Sequence, residues 1–199
     1  TIEGEGLYGK FEGSEEVKRE MAENPLRLSL HSESDKNRRY ILDRLGTCGT
    51  MYIFGGGHVS LEVAELAKRL DFNVTVIDDR EEYANAKRFP GCRTMVVDSY
   101  TDIPDLKIGL GTYILIITRG HAGDFEALKW ALKGDPFYVG MIGSRKKRDI
   151  IFGKLRELGY AEDKITAVHS PVGLTIGAKT PAEIAVSIMA EVIKCRYEA

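Results

Sequence analysis

Residues 51–79 read MYIFGGGHVSLEVAELAKRLDFNVTVIDD, and the fold follows from this stretch. An apolar run, Met51 to Phe54, enters Gly55-Gly56-Gly57. Val59, Val63, Ala67 and Leu70 then recur at helical spacing, with Glu62, Glu65, Lys68 and Arg69 largely off that face. A second apolar run, Val74 to Ile77, ends at Asp78-Asp79. The pattern predicts strand, glycine turn, helix, strand and acid, which is the context a dinucleotide-binding fingerprint requires. Gly55 permits the tight turn, Gly57 lets backbone approach a pyrophosphate, and Gly56 lies between them in the expected cofactor-binding loop. His58 and Val59 open the helix whose unpaired N–H groups face the anion. Ser60 stands in the third glycine position and is small enough for close helix–strand packing. Asp78, 23 residues after Gly55 with Asp79 beside it, offers a carboxylate to ribose hydroxyls. A carboxylate there repels a 2′-phosphate, so NAD is expected over NADP, with Arg80 the side chain placed to offset that repulsion.

The whole chain fits one large domain, or one domain with a small appendage: it has 199 residues. With 43% hydrophobic and 29% charged residues, a net charge of -2 and a pI near 6.1, nothing points to disorder, nucleic acid or a membrane surface. Cys48, Cys92 and Cys195 are far apart with no CxxC pair, which argues against a disulfide framework or zinc knuckle. No run approaches a membrane span and no signal peptide opens the chain, so a cytoplasmic protein is expected. Because Thr rather than Met comes first, an upstream portion is an open expectation.

Residues 1–49 read as an amino-terminal segment. Glycines at 4, 6, 9 and 13 suit a flexible lead, Ser14 to Pro25 suits a short helix, and Leu26 to Leu30 with Tyr40 to Leu45 suits a β-hairpin. Residues 50–199 read as a Rossmann-like domain. Past Asp79, EEYANAKRF suits a short helix closed by Pro90-Gly91, and Thr94 to Val97 a third strand ending at Asp98. Ile114 to Ile117 is a continuous apolar run, as expected of a central parallel strand. A helix over about 124–132, a strand over 137–142, a basic helix to about Leu158 and a sixth strand over Ile165 to Val168 follow. Thr180-Pro181-Ala182-Glu183 is a capping box heading a mostly buried last helix. Alternating strands and helices predict an α/β, doubly wound parallel sheet with helices on both faces.

In such a sheet ligands bind at the carboxyl ends of the strands. Gly55–His58, Asp78, Asp98, Thr118, Arg119, His121, Asp124, Gly143, Ser144, Arg145 and His169–Pro171 should therefore gather on one edge. Three of the four histidines lie there, where an imidazole can bind phosphate, move protons, ligate a metal or simply cap its own turn. No HxH or HExxH spacing supports a dedicated metal site. Gly143-Ser144 followed by Arg145, Lys146, Lys147 and Arg148 sets four cations at a helix start, where they oppose the dipole. An anion subsite would explain them, and a solvated helix face is the plain alternative. His58, His121 and Asp124 are expected to line one pocket. Replacing His121 and Asp124 by Ala should then leave stability within about 0.5 kcal/mol.

The motifs GGGHVSLEVAELAKRLDFNVTVIDDREEYANAKRFPG, TRGHAGDFEALKWAL, YVGMIGSRKK and HSPVGLTIGAKTPAEIAVSIMAEVI resemble, in order, the carboxyl-terminal domain of the xanthine dehydrogenase accessory-factor family. The resemblance runs over residues 51–193. It implies a Rossmann domain that binds the molybdenum cofactor (molybdopterin) and assists its maturation and insertion into an apo molybdenum hydroxylase. It implies that enzyme and a sulfur-donating desulfurase as partners; self-association is an open expectation. Members of the family usually carry a larger amino-terminal domain than the residues before Met51. A phosphate of the cofactor would meet Gly55–Ser60 and Ser144–Arg148, and its pterin the histidine-lined edge. The runner-up is an NAD(P)-dependent oxidoreductase, which the fingerprint alone would support, and a nucleotide-sensing regulatory domain comes third. No Tyr-x-x-x-Lys pair or other proton relay supplies the oxidoreductase chemistry.

Overall fold

The computed structural model describes residues 49–198 continuously, together with four two-residue strands before them. Contacts divide the chain into two units, Thr1–Gly46 and Thr47–Ala199. In the first, β1 (Ile2–Glu3) pairs antiparallel with β2 (Gly6–Leu7), and β3 (His31–Ser32) with β4 (Tyr40–Ile41). The short helix expected over 14–25 and the strand expected over 26–30 lie outside the described residues.

The second unit is a parallel sheet built from β5 (Gly49–Phe54), β6 (Phe72–Asp78), β7 (Arg93–Val96), β8 (Thr112–Ile116) and β9 (Tyr138–Met141). Their spatial order is β7-β6-β5-β8-β9, with β5 at the centre. It pairs Met51 with Val74 on one side and with Tyr113 on the other. The strands β5 and β8 are buried almost end to end, which is why they read as unbroken apolar runs rather than alternating ones.

Helix α1 (His58–Arg69) and helix α5 (Pro181–Glu198) cover one face, where Val63, Ala64 and Ala67 meet Met51, Ile53, Tyr113, Leu115, Ile188 and Val192. On the other face α2 (His121–Ala131), α3 (Arg145–Glu157) and α4 (Glu162–Thr166) pack Leu128, Trp130, Ile151, Leu155 and Ile165 on Phe54, Ile114 and Ile116. Trp130 meets the Phe54 ring edge-on at a centroid distance of 5.2 Å. The Thr180 box closes as expected: Glu183 N donates to Thr180 Oγ1 at 3.3 Å and Thr180 N to Glu183 Oε2 at 2.9 Å. Among the described residues no helix is long and apolar enough to cross a membrane.

Two elements differ from expectation. The expected sixth strand is the short helix α4 followed by one parallel bridge, His169 to Gly140. Ile165 N donates to Ala161 O at 3.2 Å and Ala167 N to Asp163 O at 3.0 Å, so these groups bond along the chain, and Ile165 is buried as the inward residue of a single helical turn. The helix expected over 81–89 is a run of turns. Asn85 is the cause: its Nδ2 donates to Glu81 O and Glu82 O, and its Oδ1 accepts from Arg88 N at 3.0 Å. Its side chain takes backbone partners that a helix would have used.

Candidate functional site

The glycine turn sits where strand order reverses, between β5 and β8. Gly55 has φ +100, and a Cβ there would fall 2.3 Å from Ile117 O, so only glycine fits. A Cβ on Gly56 would fall 2.2 Å from Tyr83 O. Gly57 is different: a Cβ would meet nothing within 4 Å, although the residue is the N-cap of α1 and has an ordinary φ of -72. The first two glycines are held by protein packing, and the third opens onto space in front of a helix N-terminus. One turn into α1, the Ser60 hydroxyl is buried with no hydrogen-bond partner among the described residues.

Asp78 is 1% exposed and tied to this loop. Its Oδ2 accepts from Gly56 N at 2.7 Å, and its Oδ1 accepts from Arg80 N and Arg80 Nε, each at 3.0 Å. Arg80 Nη2 adds a contact to Oδ2 at 3.3 Å, and the guanidinium lies 3.6 Å above the Tyr83 ring. Both carboxylate oxygens are thus engaged before any ribose arrives. Asp79 is approached by Arg80 Nε at 3.5 Å and by Arg119 Nη2 at 3.6 Å. Arg119 is 65% exposed, so that pairing is weak. Arg88 donates from Nε to Gly56 O at 3.2 Å, while its buried Nη2 has no hydrogen-bond partner among the described residues. Three arginines therefore face two aspartates around the glycine turn, leaving one positive charge beside a positive helix end. Below them Tyr100 is pushed well above the ordinary phenol range by burial and by the Asp78 and Asp79 carboxylates, which keeps it neutral.

A buried network continues the edge past β8. Thr118 Oγ1 donates to Asp124 Oδ1 at 2.7 Å, and Lys147 forms an ion pair with Asp124 Oδ2 while donating to Ile142 O at 3.1 Å. Asp124 is 0% exposed. The expectation that Asp124 lines a pocket is therefore corrected: a wholly buried carboxylate faces Lys147 and joins the starts of α2 and α3. Lys147, Ile151 and Leu155 follow at helical spacing on the inward stripe of α3, a periodicity from which the inward lysine was readable. Of the four cations, Lys147 is spent here, and Arg148 pairs with Asp149 and donates to Ser170 O at 3.3 Å. Arg145 and Lys146 stay exposed. Ser144 caps α3, its Oγ accepting from Lys147 N at 3.2 Å, with Gly143 immediately before it.

The remaining expected residues divide. His58 and His121 are exposed at the first positions of α1 and α2, and His121 borders a groove of about 390 Å3 with Phe125, Ile150 and Lys154. Asp98 is exposed just beyond β7, and Val59 is half-buried. His169 does not join them. Its ring stacks on Tyr138, the first residue of β9, at 4.7 Å and reaches Glu191 and Cys195 on α5. Arg196, next along α5, lies over Phe72, the first residue of β6, and Tyr113, the second of β8. This end of α5 therefore lies at the amino ends of the strands, opposite the glycine turn. His169, expected just beyond a sixth strand, is instead set beside Gly140 of β9 by one parallel bridge. Sequence reading also passed over Tyr83 and Arg88, which sit in turns without any periodic signal.

Residues 51–192 match the family model described as the XdhC Rossmann domain. The chain belongs to the XdhC Rossmann domain family. It is 34% identical over 151 residues to YqeB, an uncharacterized protein of Escherichia coli (strain K12), covering 75% of this chain and 28% of that one. It is 28% identical over 169 residues to a probable xanthine dehydrogenase subunit of Bacillus subtilis (strain 168), covering 81% of this chain and 47% of that one. A third relative, the "Molybdenum cofactor insertion chaperone PaoD" of Escherichia coli (strain K12), is 26% identical over 106 residues, 53% of this chain and 33% of its own length. The chain thus spans less than half of each of these relatives. A crystal structure described as a xanthine dehydrogenase from Bacillus halodurans superposes with a TM-score of 0.67 at 27% identity, covering 80% of this chain and 45% of that one.

Proposed function

We propose that this domain serves a molybdenum hydroxylase as an accessory module that holds the molybdenum cofactor as cargo and helps pass it to the apoenzyme. The observation that carries the reading is Gly57: open space in front of the α1 N-terminus, with Arg88 Nη2 and Ser60 Oγ buried and without hydrogen-bond partners among the described residues. That arrangement suits a phosphate, which backbone N–H groups, a guanidinium and the helix dipole would bind together. The exposed Arg145 at the start of α3 offers a second anion contact, and His58 and His121 lie at the helix starts where the pterin would rest. Membership of the XdhC family and likeness to PaoD support molybdenum cofactor as the phosphate-bearing ligand. A sulfur-donating desulfurase and a cytoplasmic location go with this reading.

Asp78 disfavours the alternative of an adenine dinucleotide. Ribose hydroxyls would have to displace Arg80 from a buried carboxylate that already accepts from Gly56 N, Arg80 N and Arg80 Nε. The test is to purify the wild-type chain and a Gly57→Val variant from a molybdenum-replete host and identify the bound small molecule by mass spectrometry. A phosphorylated pterin on the wild type, lost from a folded Gly57→Val variant, is expected. A nicotinamide dinucleotide in its place would overturn the proposal.

A further inference from the structure

Away from the glycine turn, His169 from the segment after α4 and Glu191 and Cys195 from α5 form a chain that the cofactor-holding role does not use. Cys195 Sγ lies 3.8 Å from His169 Nε2, and His169 Nδ1 lies 3.6 Å from Glu191 Oε2. The Glu191 carboxylate is fixed: Oε2 accepts from Tyr138 Oη at 2.6 Å and from Gly173 N at 3.0 Å. Burial acts to raise its pKa, but hydrogen bonds from His169, Tyr138 and Gly173 outweigh it and hold the carboxyl at about 2, so it is ionised. Tyr138, pushed far above the phenol range by burial and by Glu191, stays neutral. An ionised carboxylate only accepts, so its nearness favours hydrogen on His169 Nδ1, which leaves Nε2 as the acceptor facing sulfur. His169 is 37% exposed and Cys195 half-buried, so the pair lies at the margin of the core rather than inside it.

We propose that Cys195 is a nucleophilic thiol, with His169 as its base and Glu191 as the positioning residue, and that it exchanges with low-molecular-weight disulfides. The step is balanced without a further reagent. His169 Nε2 takes the Sγ proton, and the thiolate attacks one sulfur of R–S–S–R. The Sγ–S bond forms as the S–S bond breaks, and the departing RS⁻ takes the proton back from Nε2. The products are a mixed disulfide on Cys195 and one R–SH. Among the described residues, the charged and titratable groups facing this part of α5 include Tyr138 from β9, His169 from the segment after α4, and Glu191 from α5 itself, with Lys194 and Arg196 beside Cys195 in sequence. Cys92 serves as an internal reference, because burial pushes that thiol up and its charged neighbours are Lys68 and Glu65 rather than an imidazole.

The experiment treats the full chain with glutathione disulfide and follows each cysteine by peptide mass mapping over time. Cys195 should form the mixed disulfide at least about tenfold faster than Cys92, and His169→Gln should bring it to the Cys92 rate. Glu191→Gln should move the rate-against-pH curve of Cys195 while leaving it modifiable, a change that a purely structural role would not cause. Equal rates at Cys195 and Cys92 in the wild type, or an unchanged Cys195 rate in His169→Gln, would overturn the proposal. If His169→Gln does not fold, the wild-type pH curves decide. Cys195 reacting at a pH where Cys92 is silent supports the relay, and parallel curves overturn it.

Discussion

Replacing Asp124 by Ala removes a carboxylate that is 0% exposed from between Thr118 Oγ1 and Lys147. What remains is a lysine 14% exposed, still donating to Ile142 O at 3.1 Å. Breaking a buried pair from one side costs about 3–5 kcal/mol, because the remaining charge is left uncompensated. Two features place this case near the lower end. Lys147 keeps a carbonyl partner, and the Thr118 hydroxyl can turn to Gly120 O at 3.1 Å. The expected loss is therefore about 3 kcal/mol, a large share of a domain's typical 5–15 kcal/mol. Urea unfolding followed by Trp130 fluorescence should show a lower midpoint at unchanged slope. The double variant Asp124→Leu with Lys147→Met should recover most of the loss, since an apolar pair of similar volume avoids the desolvation cost. Loss of less than about 0.5 kcal/mol in Asp124→Ala, the range of surface substitutions, would refute the argument that the network joins the two helix starts.

The glycine turn gives a paired contrast. Gly56→Ala should cost roughly 1–3 kcal/mol through its clash with Tyr83 O, whereas Gly57→Ala should cost under about 1 kcal/mol as an N-cap change; thermal melts of the two side by side distinguish them. Arg145→Glu should fold normally yet weaken a phosphate-bearing ligand by about 1.5–3 kcal/mol in calorimetric titration, and unchanged affinity would mark Arg145 as a solvated residue. Glu191 has a folded value depressed from 4.5 to about 2, so its stabilisation is complete above 4.5 and is lost as pH falls from there toward 2. After discounting for solvent screening this is worth up to about 2 kcal/mol, and Glu191→Gln should flatten the acid limb of a stability-against-pH curve by that amount.

The sheet was legible in the sequence wherever burial on both faces forced continuous apolar runs, as in Met51–Phe54 and Ile114–Ile117. The last helix was legible because Thr180 and Glu183 cap locally, by chemistry that needs no distant partner. What escaped was decided by side chains acting over short polar stretches. Asn85 replaced a helix with turns, and four residues from Ile165 were too few to tell one helical turn from a strand. Within the site, the glycine turn was legible from its spacing, whereas the open space at Gly57, where a Cβ would meet nothing within 4 Å, follows from the folded neighbours. The engagement of Asp78 by Arg80 and the burial of Asp124 depend on partners that become neighbours only after folding. Proximity of His169 to Cys195, 26 residues later, has no local signature at all.

The placement of α5 has a consequence for how the domain is made. Its Ile188, Met189 and Val192 complete the apolar layer shared with Val63 and Ala67 of α1, more than a hundred residues earlier in the chain. While the protein is being synthesised, the helix that follows the glycine turn emerges long before the element that covers it. The α1 face of the sheet must therefore wait, with its apolar surface uncovered, until α5 has emerged from the ribosome. Long-range closure of this kind slows folding and exposes the nascent chain to aggregation, so release of α5 is the step at which the unit becomes safe from non-specific association.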